Sequence, residues 1–307
     1  MKVWIETSAL HPDDVTALIQ KYPNLTFETD KSLAYDAEVI IAMPSHVKPE
    51  ILDSFHSVKW IQLLTAGFNT INIDDIKSRG IVLTYAKDVF SIQIAEDVFS
   101  KILYFNRNLQ TFHDQQRINL WKYKAAHHEI YGSTVGIVGT GSIGTEVAKR
   151  MKSFGARVIG HKRSVAILPE YDQILYGKEG LDQLLAQSDY VIISCPLSKE
   201  TYHLIGAKEL GLMKKTALII NVARGEIIDQ EALIKALNTN QIRGAGLDVT
   251  TPEPLPPSSE LWRCQNVLIT PHNASSSPFV QRRLMDEVDT ALYRYIHHLP
   301  YDNLVKP

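Results

Sequence analysis

Short, continuously apolar runs alternate with helix-like stretches in the first third of the chain. The run Val39–Ala42 contains no polar residue, which is typical of a parallel strand covered on both faces. The pattern predicts strands at residues 2–5, 37–42, 58–64 and 81–86 and helices at residues 12–22, 49–55 and 73–79. Alternation of this kind indicates a parallel sheet built from βα units.

Residues 91–117 have apolar side chains at helical spacing and predict one long helix. After Gly132 the alternation resumes and predicts a second series of strands, at residues 134–138, 157–159, 190–194, 217–221, 245–249 and 267–270. Residues 251–257 include four prolines, so they predict a stiff loop at the rim of this sheet. Residues 278–298 predict a last helix, which we expect to return to the first sheet.

Length and composition limit the function. A chain of 307 residues suits two domains. Its 32 Lys and Arg nearly balance 34 Asp and Glu, which argues against binding nucleic acid or an anionic membrane through charge. Cys195 and Cys264 allow at most one disulfide, and neither a signal peptide nor a membrane span is predicted. We expect a cytoplasmic protein with a small-molecule partner.

A glycine cluster joins strand 134–138 to a helical stretch; it reads Gly139-Thr140-Gly141-Ser142-Ile143-Gly144. In this context the cluster matches the dinucleotide-binding fingerprint. Gly139 permits a tight turn, Gly141 lets the backbone approach a pyrophosphate, and Gly144 lets the helix pack on the strand. The amides at the helix start, at Ser142 and Ile143, then face the anion. The alternative is a glycine-rich turn without a ligand.

The two series together predict two doubly wound parallel-sheet α/β domains. We expect a Rossmann dinucleotide-binding domain of residues 98–277, inserted in a flavodoxin-like substrate domain of residues 1–97 and 278–307.

The strand after the glycine cluster ends in His161-Lys162-Arg163-Ser164. NAD-binding domains usually carry Asp or Glu here for the ribose 2′-hydroxyl, but no carboxylate lies between Arg157 and Ser164. Each cation would contribute about 1–2 kcal/mol toward a 2′-phosphate, and about 1.4 kcal/mol is tenfold in affinity. We expect NADP(H), with NAD as the weaker alternative. A solvated basic turn that contacts no cofactor is the other interpretation.

Three residues follow the ends of later predicted strands, where open α/β sheets bind ligands: Arg224, Glu253 and His272. Taken separately, they could be a surface ion pair and a structural histidine. The pairs His127-His128 and His297-His298 do not predict a metal site, because adjacent histidines usually point apart.

Four blocks of the chain resemble the D-2-hydroxyacid dehydrogenase family. They read VGIVGTGSIG at residues 135–144, NVARGE at 221–226, LDV at 247–249 with EPLP at 253–256, and NVLITPHNA at 266–274. The resemblance implies an enzyme that transfers hydride between a nicotinamide cofactor and a 2-oxo or 2-hydroxy acid. It also implies a homodimer formed through the dinucleotide-binding domain, which the helix at 91–117 and Trp121 would permit.

The resemblance also assigns roles. Arg224 would orient the substrate's carboxylate and carbonyl oxygen, because its planar fork binds such groups bidentately. His272 would protonate the carbonyl oxygen, a role suited to imidazole, whose unperturbed pKa is about 6.5. Glu253 would stabilise the protonated ring. Further binding residues implied for the substrate are Thr65, Ala66 and Gly67, and for the cofactor Cys195, Pro196, Thr201, Val222, Ala223 and Asp248.

Two of these residues have simpler interpretations as well. Asp248 could be a helix cap or a buried hydrogen-bond acceptor, and Cys195 is better explained as packing than as a catalytic thiol. The missing ribose carboxylate resembles the NADP-using glyoxylate/hydroxypyruvate reductase branch. Glyoxylate, hydroxypyruvate, pyruvate and larger oxo acids all remain open as substrates. The alternatives are a nucleotide-sensing binding protein of the corepressor type, or a dehydrogenase of the same fold with a different acid substrate.

Overall fold

The computed structural model describes residues 1–164 and 167–305. Its strands, in chain order, are β1 (Lys2–Ile5), β2 (Thr26–Glu28), β3 (Val39–Ala42), β4 (Trp60–Leu63), β5 (Val82–Thr84), β6 (Thr134–Val138), β7 (Arg157–Lys162), β8 (Gln173–Tyr176), β9 (Tyr190–Ile193), β10 (Leu218–Asn221), β11 (Gly244–Leu247) and β12 (Val267–Ile269). Its α-helices are α1 (Pro12–Lys21), α2 (Pro49–Leu52), α3 (Ile73–Ser78), α4 (Ser91–Asn106), α5 (Leu109–Arg117), α6 (Ser142–Ser153), α7 (Gly177–Gln187), α8 (Ala207–Leu212), α9 (Gln230–Asn238) and α10 (Val280–Ile296).

The chain forms two compact units. Unit 1 consists of Met1–Phe90 together with the residues from Ser277 onward, and unit 2 consists of Ser91–Ser276. The first boundary between the two units lies between Phe90 and Ser91, at the start of α4. The boundary expected between residues 97 and 98 falls inside that helix.

Unit 1 is built on a parallel sheet with the strand order β2-β1-β3-β4-β5, which is the flavodoxin-like order. The inner strands β3 and β4 are buried along their whole length, as expected for parallel strands covered on both faces. Helix α10 packs Leu284 and Val288 against Val3 and Ile5 of β1. The last helix therefore shares the apolar core of unit 1 with the first sheet.

Unit 2 carries a parallel sheet with the order β12-β11-β10-β9-β6-β7-β8. From β6 the chain first builds outward to β7 and β8 and then crosses over to β9 on the other side. Ligands bind at such a switch point, outside the carboxyl ends of the strands. The predicted class of two doubly wound domains, one of them Rossmann-like, is confirmed.

The single helix expected at residues 91–117 is wrong, because α4 and α5 are separate helices. Asn108 between them has φ 52°, a left-handed conformation that interrupts a helix and that Asn tolerates better than most residues. Its side chain donates to the Ala125 carbonyl at 3.0 Å. Apolar spacing continues through this break, so the pattern did not reveal it.

The sequence pattern also missed the edge strands β2 and β8 and the helices α7 and α8. Both strands are only partly buried. An edge strand covered in part does not need a continuous apolar run, so neither segment stands out from its surroundings.

Candidate active site

Three neighbouring strands bring the predicted catalytic residues to one edge of the unit 2 sheet. Leu247 at the end of β11 pairs in register with Asn221 of β10 and Ile269 of β12. The loops carrying Arg224, Glu253 and His272 therefore start side by side at the carboxyl edge.

His272 and Glu253 form a direct hydrogen bond of 2.7 Å between Nδ1 and Oε2. Because a carboxylate only accepts, Nδ1 carries the proton and Nε2 remains for proton exchange with a substrate. The other carboxylate oxygen of Glu253 accepts from the Thr250 amide at 3.0 Å. The side chains of His272 and Glu253 are 45% and 36% exposed, so a small molecule can reach them.

Asp248 fixes the loop that carries His272. Its buried carboxylate accepts hydrogen bonds from the Thr270 hydroxyl at 2.6 Å and from the amides of Asn273 and Ala274 at 3.1 and 3.0 Å. The Asp248 carbonyl accepts from the His272 amide at 2.8 Å. His272 has φ 51°, which costs a non-glycine residue about 1–2 kcal/mol, and these bonds offset that cost. Asp248 is thus a buried hydrogen-bond acceptor.

Arg224 lies in a turn shaped by Asn221, whose side chain donates to the Arg224 carbonyl at 2.8 Å and accepts from the Ala223 amide at 3.0 Å. The Arg224 guanidinium donates to the Ala223 carbonyl at 2.6 Å. A Cβ at Gly225 would lie 2.1 Å from the Thr250 carbonyl oxygen. Only glycine permits this approach, which brings the Arg224 turn against the segment that holds Glu253.

Gln230, at the start of α9, was missed in the sequence. Its side chain accepts from the Thr251 amide at 3.0 Å, next to the Thr250 amide that binds Glu253. Gln230 lies six residues after Arg224 in the sequence, and that position alone does not indicate this contact.

The glycine turn fits a dinucleotide. Gly139 has φ +102°, and a Cβ there would lie 2.4 Å from the Cys195 amide nitrogen; at Gly144 it would lie 2.2 Å from the Gly139 carbonyl. A Cβ at Gly141 would meet nothing within 4 Å, and no described side chain caps the start of α6 there. The Thr140 hydroxyl oxygen is buried without a partner in the described part of the chain. Backbone amides and an unsatisfied hydroxyl suit a pyrophosphate at this helix start.

His161 and Lys162 end β7 beside this turn, since the Gly139 amide donates to the His161 carbonyl at 3.1 Å, and Arg163 and Ser164 follow the strand. The His161 ring bonds the Gly177 carbonyl at 2.9 Å, whereas Arg163 and Ser164 are exposed. The pKa of the Glu200 carboxyl is lowered chiefly by a hydrogen bond from Ser198 and further by the nearby Arg163 charge. Arg163 of the basic turn thus lies near the loop of residues 195–201.

That loop follows β9 on the other side of the switch point. The Thr201 hydroxyl closes it by donating to the Pro196 carbonyl at 2.8 Å. Cys195 belongs to the apolar core, and burial raises the pKa of its thiol to about 11. A neutral thiol is a poor nucleophile, so packing explains Cys195. Val222 and Ala223 lie buried at the end of the neighbouring β10.

Thr65, Ala66 and Gly67 lie in unit 1, directly after β4. The Thr65 hydroxyl donates to the Gly67 carbonyl at 2.8 Å, which makes a tight turn at the carboxyl edge of that sheet. All three residues are partly exposed.

Residues 1–164 and 167–305 contain no cluster of three or more His, Cys, Asp or Glu side chains arranged to hold a metal ion. In the same ranges, no helix has both the length and the apolar character needed to cross a membrane.

A Rossmann sheet with a phosphate-binding glycine turn and a His–Glu pair at its carboxyl edge defines an NAD(P)-dependent dehydrogenase. The family model described as "D-isomer specific 2-hydroxyacid dehydrogenase, NAD binding domain" matches residues 99–274. The chain is 37% identical to a glyoxylate reductase of Thermococcus gammatolerans over 252 residues, 79% of this chain and 75% of that protein. It belongs to the D-isomer specific 2-hydroxyacid dehydrogenase family.

Two solved structures share the fold over the whole chain. A family member from Xanthobacter autotrophicus in complex with NADPH and MES is 29% identical, with a TM-score of 0.85 over 100% of this chain and 98% of that one. A D-lactate dehydrogenase from Aquifex aeolicus complexed with NAD and lactic acid is 25% identical, with a TM-score of 0.81 over 100% of both chains. The related structures thus hold either cofactor.

Glu253→Gln tests the proton chemistry of this pair. The variant keeps an oxygen for the Thr250 amide but removes the charge that favours a protonated His272. We expect kcat/KM for oxo-acid reduction to fall roughly 10- to 100-fold, as for a lost charge-assisted hydrogen bond. Glu260→Gln, an exposed acid in the same connection, is the control. An unchanged kcat/KM in Glu253→Gln would contradict the pairing.

Proposed function

We propose that the chain reduces a small 2-oxo acid, with glyoxylate as the first candidate, to the corresponding 2-hydroxy acid, with the D configuration where the product is chiral. Family membership makes the protein an NAD(P)-dependent 2-oxoacid reductase, and the name of the Thermococcus relative supports glyoxylate. The observation that carries the proposal is the 2.7 Å His272–Glu253 bond on the same sheet edge as Arg224.

The residues divide the work by their chemistry. A bound reduced nicotinamide supplies the hydride, and Gly139, Gly141, Gly144 and the start of α6 would hold its pyrophosphate. Arg224 binds the carboxylate and carbonyl oxygen of the substrate and fixes its orientation. His272 donates the proton from Nε2 to the carbonyl oxygen, while Glu253 stabilises the charged ring. Asp248 and Asn221 position these loops, and the turn at Thr65–Gly67 offers backbone amides to the substrate carboxylate.

Variants of Arg224 and His272 should separate substrate binding from the chemical step. Arg224→Ala is expected to raise KM for the oxo acid far more than it lowers kcat, because it removes binding of the carboxylate. His272→Ala is expected to lower kcat about 10²- to 10⁴-fold, the usual loss of a general acid, with little change in cofactor affinity. Absorbance at 340 nm over a panel of oxo acids measures KM and kcat, and fluorescence titration measures the affinity for the cofactor.

Wild-type turnover in His272→Ala would show that another group is the acid. Tight nucleotide binding by the wild-type protein without turnover of any acid would instead favour a nucleotide-sensing protein of the corepressor type. Activity confined to acids outside the 2-oxo class would point to a dehydrogenase of the same fold with a different substrate.

We propose NADP(H) as the preferred cofactor. Lys162 ends β7 and Arg163 follows it, on the strand that adjoins the glycine turn. Two cations and Ser164 suit a 2′-phosphate, and no carboxylate stands among residues 157–164 to repel one.

Arg163→Ala should lower kcat/KM for NADPH about tenfold, the equivalent of ~1.4 kcal/mol, and should leave that for NADH nearly unchanged. Lys152→Ala is the control, because Lys152 lies in the last turn of α6 and pairs with Asp172. Steady-state kinetics with both cofactors provides the measurement. Equal or better efficiency of the wild-type protein with NADH would reject the preference.

We further propose that the protein is a homodimer joined through unit 2. Residues 118–131 form an irregular segment with large exposed side chains, among them Trp121 at 102% and Tyr123 at 86% exposure. Phe112, Leu120 and these rings line a cavity of about 1030 Å³. Exposed apolar surface of this extent is typical of an interface, and a second copy is the occupant that the family resemblance implies. Both cysteines are free and buried, which supports the cytoplasm as the compartment.

Trp121→Ser should weaken this association, because aromatic anchors carry much of the energy of an interface. Light scattering during size-exclusion chromatography should give the mass of two chains for the wild-type protein and a lower average for the variant. Leu33→Ser removes an exposed apolar side chain from unit 1 and should leave the mass unchanged. A monomeric wild-type protein would refute the dimer.

A further inference from the structure

Residues 303–305 lie antiparallel to β5 at the edge of the unit 1 sheet. Leu304 pairs with Thr84, the last residue of β5, in an isolated antiparallel bridge. The Tyr85 amide donates to the Asn303 carbonyl at 3.2 Å. This segment is thus attached to the carboxyl end of β5, where the chain leaves the sheet.

Asn303 also binds its surroundings through its side chain. The residue is 1% exposed, and its Nδ2 donates to the Tyr85 carbonyl at 3.0 Å and to Glu287 Oε1 of α10 at 2.7 Å. A longer contact of 3.3 Å joins Nδ2 to Gln62 Oε1. The Asn303 oxygen Oδ1 is buried without a partner among residues 1–164 and 167–305. The contacts of this side chain are therefore made by its two N–H groups.

Gln62 belongs to the same network and lies near the end of the inner strand β4. It is fully buried; its Oε1 accepts from the Thr84 hydroxyl at 2.6 Å, and its Nε2 donates to the Leu63 carbonyl at 2.9 Å. Leu63 ends β4, and the turn Thr65–Gly67 starts two residues later. Burying polar groups costs free energy unless they are hydrogen-bonded. Here the buried amides of Gln62 and Asn303 bond groups at the strand end from which this turn leaves the sheet.

The chain after β5 continues the network to the turn itself. The Ala86 amide donates to the Thr65 carbonyl at 3.0 Å. The Tyr85 ring packs on the Phe68 ring, with the ring centroids 5.6 Å apart. Since Asn303 bonds both the amide and the carbonyl of Tyr85, it fixes the backbone that holds the turn. All these contacts lie within unit 1.

We propose that Asn303, together with Gln62, is a positioning residue for the substrate: the pair fixes the turn Thr65–Gly67 so that its backbone amides are oriented for the substrate carboxylate. The inference rests on the function proposed above, in which this turn binds that carboxylate. Both side chains are buried, so they act through the backbone and not by touching the substrate. Amides oriented before binding hold an anion more tightly, because less ordering is needed when it binds.

Asn303→Leu tests this inference, because leucine is close to asparagine in shape and has no donor. The Tyr85 carbonyl and the Glu287 carboxylate each lose a bond, and the turn loses support. We expect the KM for the oxo acid to rise roughly tenfold, as for one weakened hydrogen bond, with kcat changed less than about threefold. The KM for NADPH should stay unchanged, because the glycine turn proposed for the cofactor belongs to unit 2.

Gln62→Met removes the second amide of the pair and should give the same rise in KM with little change in kcat. Tyr295→Phe is the matched control, because it removes a hydrogen bond of 2.8 Å from α10 to Glu38. Glu38 precedes β3 at the opposite, amino edge of the same sheet, so this variant should keep the wild-type KM. Thermal melting checks that each variant is folded.

An unchanged KM for the oxo acid in Asn303→Leu overturns the inference. An equal rise in the KM for NADPH also overturns it, because the loss then reflects general damage to the fold. If Asn303→Leu does not fold, Gln62→Met decides: a selective rise in the KM for the oxo acid supports the inference, and an unchanged KM overturns it.

Thr65→Val, measured in parallel, tests the turn itself by removing the hydroxyl that donates to the Gly67 carbonyl. A raised KM in Thr65→Val with an unchanged KM in Asn303→Leu overturns the positioning role alone. An unchanged KM in Thr65→Val rejects the substrate role of the turn and the inference with it. Absence of turnover by the wild-type protein with every oxo acid would instead reject the proposed function.

Discussion

Parallel pairing of β10, β11 and β12 is the constraint on which the candidate site depends. Because the strands run in the same direction and end in register at Asn221, Leu247 and Ile269, three separate loops leave the sheet at one edge. A slip of the register by one residue would turn every side chain of the slipped strand to the opposite face. Strand pairing thus makes neighbours of residues nearly fifty positions apart in sequence. Short loops then suffice to bring the His272 imidazole to the Glu253 carboxylate.

The loops themselves are held by buried polar contacts rather than by apolar packing. Asp248, Asn221 and Gln230 each use a side chain to bind the backbone of a loop that carries a functional residue. Burying such groups costs free energy unless they are hydrogen-bonded, and here their bonds go to backbone groups near the site. The left-handed conformation of His272 persists because its surroundings determine it, as is common for strained residues at functional sites.

The sequence predicted the features that depend on periodicity and on glycine. Continuous apolar runs such as Val39–Ala42 identified the inner strands, and the glycine cluster identified the turn between β6 and α6, because its spacing reflects backbone geometry. Arg224, Glu253 and His272 were predicted from their positions after strand ends, where parallel sheets bind ligands. The edge strands β2 and β8 gave no such signal, since half-covered strands need no apolar run. The break at Asn108 was hidden because apolar spacing continues through it. The contact of Gln230 with the Thr251 amide joins segments that are separated in sequence, and no pattern in a single sequence indicates it.

The place of α10 in unit 1 has a consequence for how the protein is made. The sheet of unit 1 is complete by Thr84, and α1 contributes Val15 and Leu18 to the apolar cluster around Val3 and Ile5, but Leu284 and Val288 of α10 complete that cluster. On the ribosome, unit 2 is therefore synthesised and able to fold while this face still lacks the cover that α10 supplies. This hydrophobic surface stays incompletely covered while nearly two hundred further residues are translated. We expect chaperones to bind the nascent chain mainly during this period.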